Sequence, residues 1–178
     1  MDKGKYFIAI VLRGAAFEHS EGLKQQLFEK FNLKGALRSP SHITLHRPFE
    51  WKTAREQELI TTLSSFKQPE PFELQLNGFD RFGERVIYLA VEENPTLQQL
   101  HHDLTRFAVT NLQLFNERDD KRGFHPHVTI AFRDLRKKNF QPAWDFIKTG
   151  ELRHQVTVSG FSLLRLEDIW RELHRFGP

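Results

Sequence analysis

The sequence contains no cysteine, and that absence removes disulfide frameworks, thiol nucleophiles and cysteine-ligated zinc from consideration. It also lacks any apolar run near the roughly 20 residues of a membrane span. The apolar start of the chain ends at Arg13 with no small-residue cleavage pattern, too short for a signal core. A cytoplasmic protein with no membrane segment is expected. Charge of one sign is scarce as well: 26 basic against 23 acidic residues leave a formal +3, spread evenly over both halves. No basic tail exists to hold a polyanion, so any nucleic-acid site must be local. One methionine and two tyrosines stand beside seventeen phenylalanines, which points to a phenylalanine-rich core with a few rings free for base stacking. At 178 residues the chain fits one folded unit, and residues 1–178 are expected to form a single two-lobed domain.

Hydrophobic periodicity gives the element order. KYFIAIVL (residues 5–12) reads as a strand, and residues 21–31 carry apolar side chains at helical spacing. SHITLHRPF alternates as a strand from residue 41 to 49, residues 52–66 read as a helix, and FELQLNGFD and ERVIYLAV read as two strands joined around residues 81–83. Asn94 and Pro95 then open a helix reaching about Phe115, and the loop NERDDKRG leads to the alternating strand HPHVTIAFR. A helix from Pro142 to Lys148 and strands over residues 155–161 and 162–166 follow.

This order repeats. His42-Ile43-Thr44-Leu45 is matched by His127-Val128-Thr129-Ile130, 85 residues later. Gly78-Phe79 lies 36 residues after His42, and Gly160-Phe161 lies 33 after His127. Matching strings with matching landmarks point to an internal duplication.

Side chains alternate faces along a strand, so parity puts His42, Thr44 and His46 on one face. The same rule puts His125, His127, Thr129 and Arg133 together on the second strand. Two such strands meeting about a pseudo-twofold axis gather two imidazoles and two hydroxyls around one small volume. Phosphoryl transfer needs a base on the attacking oxygen, an acid on the leaving oxygen and donors on the non-bridging oxygens. Histidine serves both proton roles near neutral pH, and threonine hydroxyls donate to phosphate. The arrangement calls for no metal and no cofactor.

The paired H-x-T-Φ signature, where Φ is apolar, together with GFDRFGERVIYLAVE, resembles the two-histidine (2H) phosphoesterase superfamily, in its 2′-5′ RNA ligase and RNA 2′,3′-cyclic phosphodiesterase branch. The likeness runs from KYFIAIVL to SGFSLLRL. It implies an α+β fold, bilobal and pseudo-twofold, with antiparallel sheets facing a central cleft and helices outside. It also implies metal-independent hydrolysis of RNA 2′,3′-cyclic phosphates to 2′-phosphates, with 2′-5′ ligation as a further capacity. Carried over by residue, His42 and His127 transfer protons, with His127 as base and His42 as acid. Thr44 and Thr129 bind phosphate. Phe132 occupies a place where family members often carry arginine, and Arg133 is the candidate to replace it as a phosphate contact. The expected partner is RNA or a nucleotide with a cyclic phosphate end, and nothing calls for an obligatory protein partner.

Other readings follow from other residues. His125 and His127 with a carboxylate would make a metallohydrolase, which leaves the threonines and the repeat unexplained. A cleft without turnover would make an RNA-binding module, and the same fold could act on nucleotide or ADP-ribose cyclic phosphates. His46 and His125 have no counterparts in the repeat and are read as structural. The adjacent His101 and His102 face different ways on a helix and are read as surface residues. Phe82 is a candidate base-stacking ring.

Overall fold

A computed structural model describes residues 2–119 and 121–177. Eight strands form one antiparallel sheet: β1 (Lys3–Val11), β2 (His42–Lys52), β3 (Phe72–Phe82), β4 (Val86–Val91), β5 (His127–Ala131), β6 (Arg153–Val158), β7 (Phe161–Leu166) and β8 (Trp170–Phe176). Their spatial order is β6-β3-β4-β5-β2-β1-β7-β8, so four strands lie on each side of the β5-β2 junction. The two halves are hydrogen-bonded through that pair, at Ile43 opposite Val128.

The duplication is visible in the topology. β1, helix α1 (Gly14–Phe31) and β2 correspond to β4, helix α3 (Pro95–Phe107) and β5. Helices α2 (Glu56–Ser64) and α4 (Lys137–Ile147) follow the motif strands. The landmark strands β3 and β7 then occupy equivalent places, each beside the other repeat's first strand. Crossing over in this way ties the halves together, and the helices do the same: α1 packs on β5 and β6, and α3 packs on β2. Among the described residues no helix is long and apolar enough to cross a membrane.

The buried face of the motif strands carries Ile43, Leu45, Val128 and Ile130, all essentially inaccessible to solvent. Fully burying one such side chain contributes about 1.5–3 kcal/mol, which makes the strand face, and hence the register, strongly specified. Phe140, Phe161 and Phe176 fill the same core, as the composition implies.

Several boundaries differ from the sequence-based expectation. Helix α1 begins at Gly14, although Arg13 supplies no side-chain cap. Helix α3 starts as expected, with the Asn94 side chain accepting from the Leu97 N–H and Pro95 in the first turn. It ends earlier, passing into a wide turn over Ala108–Leu112 closed by Gln113 at φ 57°. Helix α4 begins at Lys137 and keeps Pro142 inside it, because Phe140, Ala143 and Ile147 bury one face and outweigh the lost hydrogen bond. Strand β8 has no counterpart in the sequence-based expectation. Its sequence WRELHRF is charged, as suits an edge strand that must resist further pairing.

Candidate active site

The register at Ile43 and Val128, extended one residue each way, puts His42 opposite Thr129 and Thr44 opposite His127. Directly opposed residues of an antiparallel pair point to the same face. The two histidines and two threonines therefore share the face opposite the buried Ile43 and Val128, and all four are only partly buried.

Each motif carries the same irregularity. On β2, Ala9 pairs with Thr44 but Ile8 pairs with His46, which leaves Leu45 as an extra residue. On β5, Tyr88 pairs with Thr129 but Ile87 pairs with Ala131, which leaves Ile130 as the extra residue. Both are β-bulges at the last position of the H-Φ-T-Φ string, and a bulge re-aims the side chains that follow it. The expected face for His46 is corrected by this bulge. His46 turns to the interior, fully buried, with its Nδ1 2.9 Å from the Arg47 carbonyl and its ring against Phe49.

The histidine rings are fixed in the same way. His42 Nδ1 lies 2.6 Å from the carbonyl of Pro40, and His127 Nδ1 lies 2.6 Å from the carbonyl of His125. A carbonyl only accepts, so Nδ1 carries the proton in both rings and Nε2 is the atom free to exchange one. Burial pushes the His42 imidazole down to about 4, the Pro40 bond opposing the shift and the Lys24 and His127 charges adding to it. Burial also lowers His127, against the His125 carbonyl bond and with the His125 charge.

Lys24 is 1% exposed, and its charge acts on His42. Its ammonium donates to Glu21 at 2.8 Å and to the Ser39 carbonyl at 3.0 Å. Glu21 also accepts from the Ser41 N–H and hydroxyl at 2.8 Å. The segment that presents the Pro40 carbonyl is thus held on both sides. Neither Lys24 nor Glu21 stands out in the sequence, since a lysine on a helix gives no sign of burial.

A cavity of about 280 Å³ is lined by His42, Thr44, Thr129, Phe132 and Arg133, with Phe7, Arg38 and Trp170 completing much of its wall. His127 is not part of that lining. Its ring stands beside the cavity's threonines, against Tyr88 at 5.1 Å and Phe82 at 5.0 Å. Phe7 packs on His42 at 4.8 Å and on Trp170 at 4.8 Å. Aromatic rings therefore flank both histidines, and Phe82 keeps 41% of its surface exposed. Arg38 and Trp170 carry no signal in the sequence, one in a short 3-10 turn and the other on the charged edge strand.

Arg133 reaches the cavity by a route different from strand parity. Strand β5 ends at Ala131, and Arg133 takes φ 67°. His125 is likewise outside the strand. Its Nε2 lies 2.9 Å from the Arg122 carbonyl, which ties the ring to the loop. His101 is not a free surface residue: its Nε2 lies 3.0 Å from Glu117 and its ring stacks on Phe124 at 3.8 Å.

These lowered histidines make stability depend on pH. Unfolding returns the rings to the ordinary value near 6.5. Between that value and about 4 the unfolded chain binds protons that folded His42 does not, so stability falls as pH drops through this window. Urea denaturation should give a lower midpoint at pH 5 than at pH 7, with a smaller drop in His42→Gln. A midpoint that rises on acidification contradicts the burial of these rings.

The chain is similar to known proteins in sequence and in fold. A family model described as the 2′-5′ RNA ligase superfamily matches residues 15–170. A putative phosphoesterase of Bacillus pumilus (strain SAFR-032) is 30% identical over 128 residues, covering 70% of each chain. One of Geobacillus thermodenitrificans (strain NG80-2) is 30% identical over 128 residues, covering 70% of this chain and 69% of that one. Among solved structures, E. coli LigT complexed with 3′-AMP superposes with a TM-score of 0.68 at 22% identity, covering 99% of this chain and 98% of that one. The protein TT0787 of Thermus thermophilus superposes with a TM-score of 0.69 at 16% identity over 97% of both chains.

Proposed function

The chain belongs to the 2′-5′ RNA ligase superfamily and is a phosphoesterase of the two-histidine kind, and from that premise we propose that it hydrolyses RNA 2′,3′-cyclic phosphates to 2′-phosphates without a metal ion. The observation that carries the reading is the symmetric pair of rings, each tied through Nδ1 to a carbonyl two residues upstream and each opposite the other motif's threonine.

In this reading the cyclic phosphate lies between the histidines, with its non-bridging oxygens on the Thr44 and Thr129 hydroxyls and Arg133 offsetting their charge. Water attacks phosphorus in line with the 3′-oxygen. His127 Nε2 takes the water proton as the new P–O bond forms. His42 Nε2 gives a proton to the 3′-oxygen as the P–O3′ bond breaks, leaving a 2′-phosphate. With an RNA 5′-hydroxyl in place of water, the same steps form a 2′-5′ linkage. The bound anion offsets the desolvation that keeps His42 neutral in the free protein, so substrate and proton bind together.

LigT structures with 3′-AMP, phosphate, ATP and NADP⁺ support a nucleotide-sized, phosphate-bearing ligand for this cleft. The exposed Phe82 ring beside His127 supplies a surface on which a base stacks. The test is a panel of RNA ending in a 2′,3′-cyclic phosphate, 2′,3′-cyclic nucleotides and 3′,5′-cyclic nucleotides, each incubated in excess EDTA. The expected result is undiminished conversion of the RNA end to a 2′-phosphate. A 3′-phosphate product, or activity lost on chelation and restored by zinc or manganese, overturns the reading.

A further inference from the structure

Arg133 is one of three non-glycine residues among those described with positive φ, and it alone of the three lines the cavity. The Asp134 N–H donates to the Phe132 carbonyl at 2.9 Å, which closes a three-residue γ-turn with Arg133 at its centre. With φ 67° this is the strained form of the turn, a conformation that persists only where the surroundings enforce it.

The enforcing contact crosses the molecule. Asp134 Oδ2 accepts from the backbone N–H of Lys34 at 2.7 Å and of Gly35 at 3.0 Å, about a hundred residues earlier. Those amides open the short 3-10 turn Gly35–Arg38, and Gly35, Ala36 and Arg38 themselves line the cavity. Gly35 leaves no space for a side chain: a Cβ there would stand 2.3 Å from the Phe132 carbonyl oxygen and 2.8 Å from Asp134 Oδ1. The same carboxylate leaves Oδ1 buried with no hydrogen-bond partner. A buried unsatisfied oxygen and a strained turn both cost stability, and both serve one outcome. Arg133 lines the cavity while remaining exposed, its guanidinium resting over the Phe132 ring at 5.1 Å and making no ion pair among the described residues.

We propose that Asp134 is a positioning residue for the phosphoryl transfer, its carboxylate locking the γ-turn against Gly35 so that Arg133 meets the non-bridging oxygens from the cavity wall. The proposal rests on the assignment of Arg133 to the phosphate made above. It accounts for an arginine one position later than the family's usual place: the turn, rather than the strand, aims it.

The test is a double-mutant cycle on hydrolysis of the cyclic phosphate end. Arg133→Ala should lower kcat/KM by about 10- to 150-fold, as for one lost hydrogen bond to a charged group. Asp134→Ala should cost a similar factor with Arg133 present and almost nothing in the Arg133→Ala background, because the two act as one unit. Asp134→Asn keeps an oxygen for the Lys34 and Gly35 amides and should restore most of the activity, while Gly35→Ala should imitate Asp134→Ala. The pH optimum set by the histidines should stay in place throughout. Asp134→Ala at wild-type activity, an equal loss with and without Arg133, or a displaced pH optimum each overturn the proposal. If His42→Ala is also fully active, it is the phosphodiesterase reading that fails instead.

Discussion

Alanine at His42 or at His127 should each lower turnover of a 2′,3′-cyclic phosphate end by about 10²- to 10⁴-fold, the usual contribution of general acid or base catalysis. The two losses should not multiply in the double variant, since a cleft missing either proton-transfer group has already lost the concerted path. The structure gives reason to expect near-equal effects, because the two rings have the same tether, the same bulge and the same opposing threonine. The wild-type rate should pass through an optimum in pH, as one ring must be neutral and the other protonated. Steady-state rates of the three variants with circular dichroism as a folding control check this. Full activity in either single variant contradicts it.

The second large effect belongs to the threonines. Thr44→Ala and Thr129→Ala should each cost about 1.5–3 kcal/mol of transition-state stabilisation, the range for a hydrogen bond to a charged group, or roughly a 10- to 150-fold loss in kcat/KM. Serine at either position keeps the hydroxyl and should retain most of the activity. A methyl group lost from a half-buried strand position accounts for little beyond that. Serine variants as damaged as the alanine variants would mean that the threonines serve packing and not phosphate. The comparison needs kcat/KM for all four variants at the wild-type pH optimum.

The H-Φ-T-Φ repeat makes the centre of the molecule readable without a structure. Period-two alternation around His42 and His127 marks the strands, and the repeat implies that their exposed faces meet. Asn94 and Pro95 mark a helix start through chemistry that is local to three residues. What escapes is non-local. The bulges at Leu45 and Ile130 arise from how β2 and β5 fit β1 and β4, and neither residue type announces one. Parity carried past Leu45 therefore misplaces His46. The γ-turn at Arg133 depends on Asp134 reaching Lys34 and Gly35, a contact with no trace in either segment alone. Strand β8 is too charged to signal itself, yet it carries Trp170 to the cavity.

The paired acid-base assignment is tested most directly by changing the leaving group. An activated aryl phosphodiester departs without protonation, so it removes the need for the acid and leaves the need for the base. With this substrate His42→Ala should recover most of its lost rate while His127→Ala stays impaired. Rescue of His127→Ala alone would exchange the two roles, and a rate that responds to neither substitution would contradict catalysis by the pair.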